Sequence, residues 1–220
     1  MRSAALFTSS RSQASCTYPS VNSILTSRPP TVFFGQPGDA MGIPATVPSL
    51  AEILRRRGFH TVAISASPIV RQHPTRFNPK GGFDRGFDVF DEQCLWKSAD
   101  CTTAEAIPHL KRDRDAAAQP LFLYIHYIDP HGPYSPPLPH PREFATGPTD
   151  KEFIRRGDPN PIADHLYKGG PDPHVTPDDM RYLVGLYDDE IAYLRNSIYL
   201  RDVDLLMQTI TALDRFSVRG

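Results

Sequence analysis

The chain of 220 residues has no apolar run of the ~18 residues that a membrane-spanning helix needs. Cysteine is scarce. Cys16, Cys94 and Cys101 are too few for a disulfide framework. No second close pair of Cys or His accompanies them, as a zinc site requires. Cys94 and Cys101 are left as a possible pair in an oxidising compartment. A surplus of charge is also missing: 24 Lys plus Arg face 25 Asp plus Glu, a net charge of -1. That balance lacks the basic footprint of a nucleic-acid-binding protein. The one basic run, Arg55-Arg56-Arg57, falls at a helix end, where it complements the helix dipole. Near the N-terminus, Ala4-Ala5-Leu6-Phe7 is too short an apolar run for a secretory signal, so localisation stays open.

What is present describes an ordinary globular chain, with 40% apolar and 22% charged residues. Its length is enough for one domain with a sizeable core. Proline is abundant at 23 residues, and twelve of these lie between Pro130 and Pro177. That stretch reads as a long stiffened loop on a folded scaffold. Ser49 followed by Glu52 forms a capping box. It opens a helix with an apolar stripe of Leu50, Ile53 and Leu54, and Gly58 stops it. Thr61 to Ala66 reads as a buried strand and Leu121 to Tyr127 as a stronger one, almost continuously apolar as in a parallel sheet. Between them a helix is expected to start near Thr102, with Glu105 completing its cap and Pro108 disturbing it. Thr176, Pro177, Asp178 and Asp179 mark the start of a last helix. Its stripe is Leu183, Leu186, Tyr187, Ile191, Leu194 and Ile198. Alternating strands and helices give an α/β fold with a mostly parallel sheet and helices on both faces.

Two segments can carry chemistry. In Ser15-Cys16-Thr17-Tyr18-Pro19-Ser20, small nucleophilic residues precede a short helix. A hydroxyl or thiol there meets free backbone N–H groups and the positive end of the dipole. Such a cluster before a helix is more often a plain helix cap. His126-Tyr127-Ile128-Asp129-Pro130-His131-Gly132-Pro133-Tyr134 follows the strongest strand, where open α/β sheets bind ligands. Two histidines and an aspartate there suit an oxyanion or a metal. A loop histidine held by a backbone carbonyl is the plainer alternative, favoured for His126. Gly and Pro on both sides of His131 fix its presentation and favour a functional role.

Five segments in this order resemble the sulfatase family of the alkaline phosphatase superfamily. Thr17-Tyr18-Pro19-Ser20 through Leu25-Thr26-Ser27-Arg28 resembles the nucleophile signature. Pro48 to Leu54 with Gly58-Phe59-His60-Thr61 resembles the following helix and strand. Gly82-Phe83-Asp84-Arg85-Gly86-Phe87-Asp88, Asp129-Pro130-His131-Gly132-Pro133-Tyr134 and Tyr187-Asp188-Asp189-Glu190-Ile191-Ala192-Tyr193 resemble three further family segments. The resemblance implies one catalytic domain over 1–220, with a Pro-rich insertion over 135–175. It implies a divalent cation, calcium foremost, and a small-molecule or glycan ester as substrate. It places Thr17 at the nucleophile and metal-ligand position and His131 on the ester oxyanion. Asn22, Arg28 and His126 are expected to touch substrate.

The departures matter. Val21 replaces the Arg of the Cys-x-Pro-x-Arg modification motif, so no formylglycine is expected. Thr17 would act as a metal-activated alkoxide, and Cys16 becomes the nucleophile only by a one-residue slip. Arg195 stands where the family usually has Asp. The other family metal ligands would lie before Met1 and after Phe216, so a truncated, marginally stable member with impaired metal binding is expected. Hydrolysis of sulfuric or phosphoric esters is the expected activity. A non-catalytic remnant binding an oxyanion or a partner is one alternative, and a phosphotransferase moving a phospho head group is another.

Overall fold

The computed structural model describes residues 8–32, 42–112 and 119–216, with backbone alone for Arg112 and residues 198–216. The chain divides into two compact units. Residues 1–95 with 115–126 form the first, and 96–114 with 127–220 form the second.

The first unit holds a parallel sheet of three strands, β1 (His60–Ser65), β2 (Val89–Asp91) and β3 (Leu121–His126), in the order β2-β1-β3. Val62 pairs with Val89 on one side and with Leu123 on the other. Five of the six residues of the central β1 are buried, as its β-branched run requires. The two long strands lie within one residue of their expected bounds. The short β2 carries no period of its own and had no sequence signal.

Two helices complete this unit, α1 (Thr17–Thr26) and α2 (Leu50–Arg56). The capping box forms as expected: Ser49 Oγ accepts from Glu52 N at 3.0 Å and Ser49 N donates to Glu52 Oε2 at 2.9 Å. The expected stripe is corrected. Leu50 and Ile53 are exposed, and Ala51 is the residue that reaches the core. With only seven residues, α2 offers one narrow contact face, and a small residue lets it approach closely. Val21, Leu25, Ile43, Ala51, Ala63, Val70, Phe83 and Phe87 form the core.

The Gly-Phe-Asp segment is the structural hub of this unit. Phe83 is fully buried, and Phe87 stacks on Phe122 at 5.9 Å between ring centroids. Arg85 donates to the carbonyls of Pro44 and Val47 and to Glu52 Oε2. Gly86 has φ +97°, and a Cβ there would lie 2.3 Å from Glu52 N and 2.8 Å from Ser49 Oγ. Only glycine lets the hub seat itself on the start of α2.

The second unit is helical, with α3 (Ala99–Arg112), α4 (Glu152–Arg155), α5 (Asn160–Lys168) and α6 (Pro177–Phe216). α3 begins at Ala99, not near Thr102. Thr102 is fully buried inside the helix instead of capping it, and Pro108 is accommodated there. α6 starts as expected: Asp179 N donates to Thr176 Oγ1 at 3.2 Å, and Asp179 Oδ2 accepts from Thr176 N at 2.9 Å. Its inward face differs from the expected stripe. Leu183, Leu186, Asp189, Glu190 and Tyr193 are buried, whereas Tyr187 and Ile191 are exposed; of the side chain of Ile198 nothing is described.

The Pro-rich stretch is fastened to α6 by carboxylates. Asp189 accepts the backbone N–H groups of Glu143, Phe144 and Ala145 at 2.7, 3.0 and 3.2 Å. Asp179 accepts from Thr149 Oγ1 at 2.6 Å and pairs with Lys151 at 3.0 Å. Proline lacks an N–H, so the few donors that such a loop retains anchor it. Two short helices, α4 and α5, interrupt it.

Candidate active site

Thr17 is the first residue of α1, and Cys16 before it is extended (φ -136°, ψ 157°). No side chain caps this end. The N–H groups of the first turn therefore lack helical acceptors, and Pro19 contributes none. Thr17 is half-buried, and its hydroxyl makes no hydrogen bond to a described residue. Thr17 thus sits at the positive end of a ten-residue helix. Cys16 is exposed and free, whereas Cys94 and Cys101 are disulfide-bonded.

Asn22 and Arg28 are on the same element but do not gather at Thr17. Asn22 is fully buried, and its Nδ2 donates to Tyr18 O at 3.2 Å within the helix. Its Oδ1 is buried without a partner among the described residues. Arg28 is exposed just past the αL residue Ser27 that ends the helix. A helix of this length rises about 15 Å, so Arg28 belongs to the end opposite Thr17.

His126 ends β3. Its Nδ1 lies 2.8 Å from the hydroxyl of Tyr124, two residues back on the same strand face. Burial pushes the imidazole down to about 4, so the ring is neutral at pH 7. Burial also raises the Tyr124 phenol above its usual value. A neutral ring held by a tyrosine is a structural arrangement with one acceptor, not a cationic anion binder.

In the second unit, His131 is exposed, with its ring edge-on to Trp96 at 5.7 Å. Its Nδ1 lies 2.7 Å from Gly132 O. A carbonyl only accepts, so Nδ1 carries the proton and Nε2 remains for a ligand. The neutral ring offers Nε2 as an acceptor, and the charged ring offers it as a donor.

A carboxylate pair nearby in the same unit had no sequence signal beyond lying in two of the resembling segments. Asp129 and Glu190 lie close enough for their charges to interact, and Glu190 Oε1 accepts from Ser135 N at 2.6 Å. Burial first, and then the neighbouring Asp129 charge, raise Glu190 to about 7. Burial likewise raises Asp129. One oxygen of each, Asp129 Oδ2 and Glu190 Oε2, is buried with no partner among the described residues. Burial and their mutual repulsion disfavour ionising both carboxyl groups at once.

A sulfatase family model matches residues 1–202. The chain belongs to the sulfatase family. No curated protein shows a matching sequence. The crystal structure of a phosphonate monoester hydrolase from Agrobacterium radiobacter has a similar fold, with a TM-score of 0.58 at 15% sequence identity. The match covers 92% of this chain and 51% of that one, so the sulfatase-family chain spans about half the length of that structure. At this identity the likeness concerns the fold.

The divalent cation that the family uses was tested against the donors present. The described residues contain no group of three His, Cys, Asp or Glu placed to hold a metal. Thr17 is a single neutral oxygen donor, against the six or so oxygens that a hard cation takes. The described donors do not fit the cation. No helix among the described residues is long and apolar enough to cross a membrane.

Proposed function

We propose that this sulfatase-family chain acts on sulfuric or phosphoric esters of small molecules or glycans, with Thr17 as nucleophile. The observation that carries the reading is the place of Thr17 as first residue of α1, at the helix end that no side chain caps, within the span matched by the sulfatase model. The reaction forms a bond from Thr17 Oγ1 to sulfur or phosphorus. It breaks the bond from that atom to the ester oxygen, and the hydroxyl proton leaves with the departing alcohol. Water then cleaves the sulfo- or phospho-threonine and restores Thr17. The free N–H groups of the first turn favour the charge that the attacked group carries. We assign His131, in its charged form and through Nε2, to the ester oxyanion. One catalytic domain over 1–220 with an insertion over 135–175 is part of the same proposal.

Threonine is a poor nucleophile at neutral pH, and no described group beside Thr17 activates it. Turnover by this chain is therefore expected to be slow. That same observation favours, as a second reading, a chain that binds an oxyanion without cleaving its ester. A panel of aryl sulfate, aryl phosphate and aryl phosphonate monoesters, run on the parent and on Thr17→Ala, separates the two. Hydrolysis by the parent alone supports catalysis. Equal background rates for both proteins remove it.

A further inference from the structure

Within the first unit, one face of α1 opens on a groove of about 590 Å³. Ser20 and Ser23 line it from one helical face, at i, i+3 spacing, and Ser27 lines it from the αL residue that ends the helix. Arg11 borders it from the segment before the helix and Arg28 from the residue after it. Ser23 is only 8% exposed, and its Oγ is buried with no partner among the described residues. An unpaired buried hydroxyl costs stability, and the described residues supply no acceptor for this one. Neither Arg11 nor Arg28 has an acidic partner among the described residues.

We propose that this groove binds the tetrahedral oxyanion of a sulfate or phosphate ester, with Arg11 and Arg28 on the oxyanion and Ser23 donating to it. The guanidinium fork matches such oxygens in geometry and charge. The volume is in the range of small-molecule pockets, roughly 300–1,000 Å³, and exceeds what a bare inorganic anion fills. Ile24, 60% exposed on the same wall, supplies apolar surface for the rest of the molecule. The groove is a second anion site on the element that carries Thr17, and it needs no turnover, so it stands whether or not Thr17 is catalytic.

Titration calorimetry of the full chain tests it, with inorganic sulfate, inorganic phosphate and a soluble sulfated monosaccharide as probes at low and high salt. The expected result is saturable binding, tightest for the sulfated sugar and weakened by salt. The Arg11→Ala/Arg28→Ala double variant is expected to lose at least about tenfold in affinity, and the double Lys variant less, because it keeps charge but not the fork. Ser23→Ala is expected to bind more weakly while its thermal midpoint holds or rises, which a merely structural serine would not show. Thr17→Ala is expected to bind as the parent does. The proposal is overturned if the parent binds none of the probes, or if the double alanine variant binds as tightly as the parent. It is also overturned if Thr17→Ala abolishes binding, since the anion then belongs at Thr17. A non-saturating response to the inorganic ions alone has the same consequence.

Discussion

Arg85 and Gly86 show what single residues contribute. The Arg85 guanidinium joins the carbonyls of Pro44 and Val47 to the Glu52 carboxylate. Arg85→Ala leaves these acceptors unpaired and is expected to cost about 2–4 kcal/mol in urea unfolding, with little rescue by Lys. Gly86→Ala meets Glu52 N at 2.3 Å in a positive-φ conformation and is expected to cost as much or more. His126 gives a pH signature. Its folded value of about 4 lies below the ordinary 6.5, so the unfolded chain binds the extra proton between these two values. Stability is therefore full above pH 6.5 and falls on acidification, by about 3 kcal/mol at most by pH 4. Unfolding measured at pH 7 and 4.5 checks this, and His126→Gln should lose the slope. At His131 the expected effect is on rate: removing an oxyanion donor typically costs about 100-fold or more in kcat. A His131→Ala variant with unchanged kcat would remove that assignment.

Among the elements, α6 argues most clearly for reading caps and periods together. Its start was legible because Thr176, Pro177 and Asp179 are local signals that need no partner elsewhere. Its inward face was not, because an apolar stripe cannot reveal that Asp189 and Glu190 turn inward to take N–H groups from residues some fifty positions away. The capping box of α2 and the strands β1 and β3 were legible for the same local reasons. The short β2 and the early start of α3 were not, since neighbours rather than their own sequence define them. The raised Glu190 carries the opposite pH sign to His126. The folded state holds its proton up to about pH 7 and the unfolded state releases it near 4.5, so this contribution is full below 4.5 and is lost as pH rises through 7. Glu190→Gln is expected to flatten the alkaline side of the stability profile. An unchanged decline between pH 4.5 and 7.5 in the variant would show that Glu190 does not carry it.

At the scale of the whole molecule, the α/β class and the family were readable because five short segments fall in one order, although each is modest alone. The candidate site was only partly readable. Local signals put Thr17 at a helix entrance, where the structure has it, and the resemblance implied that Asn22 and Arg28 touch substrate there. One is enclosed in the core and the other sits a helix length away. The central claim is that the Thr17 oxygen attacks the ester. Mass spectrometry of the chain, quenched during incubation with an aryl sulfate or aryl phosphate, tests it most directly. A sulfo or phospho group on the peptide bearing Thr17, absent from Thr17→Ala and retained in Cys16→Ala, is the predicted result. Turnover with no adduct on Thr17, or with the adduct on Cys16, would contradict the account.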